Sequence, residues 1–169
     1  MNYGKKILTL MRNARSNSQQ PDAKQKYFYI QHKEDNYQFQ IKYKDIEKYG
    51  VVLDYLSITN MTPIMDVNEL NEALEKQADD IQKKVDCLPE SFRLIEMDRQ
   101  NKRVQLRSYP PRTDDDSKYY YEIVLDEGTK SHFQRYQFSR EQKRYGKITS
   151  QLTTDAFEDL INQLVKILE

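Results

Sequence analysis

The sequence predicts an α+β fold: about seven to eight mostly antiparallel strands with an N-terminal, a central and a C-terminal helix. Three observations carry this. Aromatic-rich runs alternate with polar residues at a period of two, separated by short clusters of charged and turn-forming residues. Two stretches, residues 66–86 and 155–168, instead carry apolar residues at spacings of three and four. The strand runs also come in groups, each group bounded by a helix.

A set of landmarks occurs twice in the same order. Lys26-Tyr27-Phe28-Tyr29, Phe39-Gln40 with Tyr43, Lys48-Tyr49-Gly50 and Ile58-Thr59 lead to a helix starting near Asp66. Lys118-Tyr119-Tyr120-Tyr121, Phe133-Gln134-Arg135-Tyr136, Arg144-Tyr145-Gly146 and Ile148-Thr149 lead to a helix starting near Asp155. Two readings fit the echo. One is a pseudo-repeat of βββα units at 26–86 and 118–168, with the hairpin 92–109 between them. The other is the common appearance of any antiparallel sheet followed by a helix.

Taken in order, residues 1–15 form an amphipathic helix with Tyr3, Ile7, Leu10, Met11 and Ala14 on one stripe. Such a short helix is marginal alone, so its stripe must pack on the protein's own core or on a partner. Residues 16–25 have the Ser, Asn, Gln and Pro composition of a linker. Residues 26–169 then form a single α+β domain. Its first hairpin joins strands near 27–32 and 37–43, where Tyr37, Phe39, Ile41 and Tyr43 share one face. A third strand runs near 51–58. In the central helix Val67, Leu70, Leu74, Ile81 and Val85 form the apolar stripe, Asp66 is the N-cap, and Glu69 completes a capping-box-like pair. A second hairpin spans 92–97 and 103–109, and Tyr109 to Asp116, with two prolines and three aspartates, reads as an exposed loop. Strands near 119–125, 132–138 and 146–150 precede the last helix, marked by Phe157, Leu160, Ile161, Leu164 and Leu168. The layout is broadly similar to that of secretion-chaperone-like folds, a likeness of element order that no motif carries.

The chain of 169 residues is 37% hydrophobic and 32% charged, with 27 basic and 27 acidic groups. Zero net charge is not the footprint of a general nucleic-acid binder. The charge is uneven, however: residues 1–50 and 101–150 are net basic, and residues 51–100 and 151–169 are net acidic. Opposed faces of this kind suit partner steering or self-association. One cysteine, Cys87, excludes an intramolecular disulfide framework. The start of the chain has no apolar run of signal-peptide length, and no apolar stretch reaches about 18 residues. The expectation is a cytoplasmic protein without membrane insertion.

Chemistry is sparsely marked. His32, His132 and Cys87 lack local support for a nucleophilic pair. The cysteines and histidines are too few for a structural zinc site, and Asp114, Asp115 and Asp116 lack the alternation of a calcium loop. Four glycines make no phosphate-cradling run. No catalytic residue, metal ligand or cofactor is therefore assigned. The segment 133–147 interleaves Arg135, Arg140, Lys143, Arg144 and Lys147 with Phe133, Tyr136, Phe138 and Tyr145, as a single-stranded nucleic-acid surface does. Alternation puts Arg135 and Tyr136 on opposite faces, and the expectation is that the aromatics point inward and the cations outward.

The leading functional expectation is a non-catalytic protein that binds another macromolecule, as an adaptor, chaperone-like or assembly factor. Its contacts would come from Tyr3, Ile7, Leu10 and Met11, with a protein partner or a second copy of the chain. The alternatives are a nucleic-acid-binding module using Arg135, Arg140, Lys143, Arg144 and Lys147, and an enzyme whose carboxylate or tyrosine site the sequence hides.

Overall fold

The computed structural model describes residues 1–17 and 27–169. Three helices, α1 (Tyr3–Asn17), α2 (Val67–Lys84) and α3 (Thr154–Leu168), lie on one face of an antiparallel sheet. Its strands are β1 (Phe28–Glu34), β2 (Tyr37–Ile46), β3 (Gly50–Asn60), β4 (Ser91–Asp98), β5 (Arg103–Tyr109), β6 (Arg112–Thr113), β7 (Ser117–Asp126), β8 (Lys130–Ser139), β9 (Arg144–Ile148) and β10 (Ser150–Thr153). The main order is β1-β2-β3-β8-β7-β5-β4.

The described residues thus hold ten strands rather than seven or eight. Part of the surplus is the expected final strand, which starts earlier and is split. β9 pairs with β8, and after Thr149 the chain changes neighbour, so that β10 pairs with β3. The rest is β6, a two-residue bridge to β7 inside the segment read as a loop. The N-terminal helix reaches Asn17, so the first two residues of the expected linker are helical; residues 18–25 lie outside the described residues.

Alternation explains which side chains meet the helices. Tyr37, Phe39, Ile41 and Tyr43 of β2 all face them and are buried, while Gln38, Gln40 and Lys42 face the open side. A register shift opposite Tyr43 lets Leu53 and Leu56, three residues apart, both face the helices. Val104, Leu106, Ile123, Leu125 and Phe133 continue the same core across the sheet. α3 is the middle helix and buries seven apolar side chains, including Phe157, Leu160, Ile161 and Leu164. A helix apolar over so much of its circumference needs cover on several sides, which α1, α2 and the sheet supply.

The helix ends follow their caps. Asp66 accepts hydrogen bonds from the backbone N–H groups of Asn68 and Glu69, and Thr153 accepts from Ala156. Val67, expected in the α2 stripe, is exposed at the first turn; Leu70, Leu74, Ala78 and Ile81 are buried. Two glycines are required by geometry. A Cβ on Gly4 would lie 2.4 Å from the Glu158 carbonyl oxygen, so only glycine lets α1 approach α3 this closely. Gly128 turns β7 into β8 at φ +71°, and its carbonyl accepts a 2.7 Å hydrogen bond from Gln77 of α2.

α1 belongs to this core. Ile7 and Met11 are fully buried, and Tyr3 and Leu10 pack against the same cluster. The Met11 carbonyl accepts from the Tyr43 hydroxyl, and the Gly4 N–H donates to the Asn162 side chain. No helix among the described residues is long and apolar enough to cross a membrane.

Candidate functional site

The start of β7, the end of β8 and β9 pair with one another as one arm of the sheet. Its register collects side chains on the open face of the sheet. Tyr120 stands opposite Tyr136, Lys118 opposite Phe138, Phe138 opposite Tyr145 and Tyr136 opposite Lys147. On the neighbouring strands Arg107 is opposite Glu122, and Arg93 of β4 is opposite Arg107.

The aromatic rings form a connected set. Tyr120 stacks on Tyr136 at 5.7 Å and 16°, and meets Tyr145 edge-on at 6.1 Å. Phe138 and Tyr145 are 4.7 Å apart. Guanidinium groups lie over these rings: Arg107 is 4.6 Å from the Tyr120 centroid and 5.6 Å from Tyr145, and Arg93 is 3.7 Å from Tyr109. Together they bound a groove of about 460 Å³, with Arg93, Ile95 and Tyr109 contributed by β4 and β5, and Lys118, Phe138 and Tyr145 by the arm. Arg107 of β5 and Tyr120 of β7 line it as well.

Tyr120 is 7% exposed yet lies outside the main core cluster. Burial pushes its phenol up to about 12 against the pull of the Arg107 charge, so it stays a neutral donor. Tyr109 and Tyr145 remain 49% and 59% exposed, as do Leu94 and Ile95 at 42% and 51%. Glu122 tempers Arg107: its Oε2 lies 3.5 Å from the guanidinium Nε and accepts a 2.8 Å hydrogen bond from Gln105. The Arg107 Nε itself is buried and has no hydrogen-bond partner among the described residues.

The expected inward placement is therefore reversed for three of the segment's four aromatics. Phe133 points to the helices, but Tyr136, Phe138 and Tyr145 point to the open face. Arg135 takes the helix side, with its guanidinium 5.1 Å from the Tyr121 ring and 5.6 Å from Tyr119. Lys147 joins Tyr136 on the open face, and Arg140, Lys143 and Arg144 cluster at the tip, where β8 turns into β9. None of these five cations makes a salt bridge among the described residues. Arg93, Arg107, Tyr109, Lys118 and Tyr120 escaped the sequence reading. The alternation of Arg103, Gln105, Arg107 and Tyr109 with buried Val104, Leu106 and Ser108 marks them as one face. Nothing local says that β5 lies beside β7.

Elsewhere, the Tyr55 hydroxyl hydrogen-bonds the His132 Nδ1, and the His132 Nε2 lies 3.4 Å from Asp126. Burial, then the Lys130 charge, lowers the His132 pKa and holds the ring neutral. Cys87 is half-buried, and burial raises its thiol to about 12, so it is not a poised thiolate. Among the described residues no three His, Cys, Asp or Glu side chains are grouped to hold a metal ion.

No protein-family model matches the chain, and no curated protein or solved structure matches it either.

Proposed function

We propose that this protein is a non-catalytic, cytoplasmic binding protein whose partner is single-stranded nucleic acid, held on the open face of the arm. One observation carries the reading: Tyr109, Tyr136, Phe138 and Tyr145 stand with Arg93, Arg107, Lys118 and Lys147 on the sheet face opposite the three described helices. Single strands are bound where bases stack on aromatic or guanidinium planes and phosphates meet cations. Duplex is not accommodated in this way, because its bases are already stacked. Residues 101–150, which supply most of the cluster, carry eleven basic and seven acidic groups, a local excess within a chain of zero net charge. A protein partner remains the other expectation from the sequence. Of its four named contacts, Ile7 and Met11 are buried in the protein's own core, and Tyr3 and Leu10 pack partly buried against it.

The test is fluorescence anisotropy with labelled single-stranded and duplex oligonucleotides of the same sequence across a salt series. Single strand should bind more tightly, and the logarithm of affinity should fall by roughly 0.7 per phosphate contacted for each decade of salt. Substituting Arg107→Gln should weaken binding and flatten that slope. Absence of single-strand binding at low salt would sink the reading.

A further inference from the structure

The arm has a second side. Where the helix layer stops, its opposite face holds a depression of about 430 Å³ lined by Arg112, Tyr119, Arg135, Ile148 and Gln151. Arg112 is tied to Glu90 at 3.0 Å, but Arg135 makes no ion pair among the described residues, and its buried Nε has no hydrogen-bond partner there. Tyr119 presents a half-exposed ring whose hydroxyl donates to Asp114. A ring and a guanidinium without an ion pair among the described residues share one depression, as on the open face.

The two faces are joined at one place. A hollow of about 350 Å³ lies at the β8–β9 end, lined by Gln137, Ser139, Arg144, Tyr145 and Gly146. Tyr145 lines both this hollow and the open-face groove. Gly146 stands opposite Gln137, and a Cβ built on it meets nothing within 4 Å. Among the described strands β9 pairs with β8 alone, so its outer edge is free along this path. At the tip, Asp114, Asp115 and Asp116 precede β7, and the Asp116 carbonyl accepts from the Arg140 N–H.

We infer that a single strand passes round the free edge of β9 at Gly146, stacking bases on the open face and placing a further base against Tyr119 and Arg135 on the other side. This rests on the reading above and extends it to a two-faced site. A strand following this route needs more nucleotides than one confined to the groove.

The experiment compares labelled oligothymidylates of about four and about twelve nucleotides. The longer one should bind at least about tenfold more tightly. Gly146→Val adds a side chain into open space, leaves the charge unchanged and suits a strand, so it should fold normally and remove most of the length advantage. Tyr119→Ala should do the same while leaving the short oligonucleotide unaffected. Tyr145→Ala should weaken both. If both lengths bind equally, or if Gly146→Val keeps the full advantage, the two-faced path is wrong while open-face binding stands. If neither length binds, the proposed function itself fails. Should Tyr119→Ala melt early, Gly146→Val decides alone.

Discussion

The two echoing units of the chain place the same residue types on opposite faces of one sheet. In the first, Phe39 and Tyr43 are four apart, so both face the helices and both are fully buried. In the second, Phe133 and Tyr136 are three apart, so Phe133 is buried and Tyr136 turns to the open side. The preceding strands follow suit. Phe28 stacks on Tyr43 beneath the helix layer, whereas its counterpart Tyr120 stacks on Tyr136 above the sheet. One residue of spacing separates a core from a surface, because a shift of one in a strand exchanges its faces. Charge follows the same division. Lys6, Arg15 and Lys42 of the first region make ion pairs with Glu34, Asp45 and Asp54, while the cations of the arm tip make none among the described residues.

If the first region is a core and the arm a surface, Phe39→Ala should cost about 3–5 kcal/mol in denaturant unfolding, with oligonucleotide affinity unchanged wherever the protein is folded. An affinity loss in the folded state would erase the distinction. Gly4→Ala comes next: the added methyl drives α1 off α3, which should cost about 1–3 kcal/mol, again without touching binding. The converse is Tyr145→Ala on the arm, which should change stability by less than about 0.5 kcal/mol while lowering affinity about tenfold. A large drop in melting temperature there would make Tyr145 a packing residue.

The smallest effect belongs to the seam, where His132 of β8 faces Ser57 of β3 and Val124 of β7. Its pKa is lowered in the fold, so the unfolded chain takes up the proton more readily. The stabilising contribution is complete above the unfolded value of about 6.5 and is lost as pH falls below it. Denaturation midpoints across that range should slope less in His132→Gln than in the parent. Equal slopes would show that other groups set the pH dependence.

Most of the fold was legible in the sequence because local signals decide it. The alternation in β2, the stripe from Leu70 to Ile81 and the Asp66 cap each concern neighbours within a few residues. The site was legible only in part. The segment 133–147 stood out by composition, but which of its two alternating faces meets the helices, that of Phe133 and Arg135 or that of Tyr136, is a tertiary fact. Arg93 and Arg107 reach the groove only because β5 pairs with β7 across the loop 110–116, and that pairing is non-local. The apolar stripe of α1 is covered by the protein's own core, and periodicity alone does not say whose surface supplies the cover.

The change of neighbour at Thr149 bears on how the molecule opens. β10 pairs with β3 with Ser150 and Leu152 buried, and the Thr154 N–H that follows bonds the Tyr49 carbonyl. Amide protons of β9 depend on β8 alone. Hydrogen exchange should therefore break sharply within a single stretch of chain, fast from Arg144 to Ile148 and slow from Ser150 to Thr153. The tip can fray while the rest of the sheet stays shut.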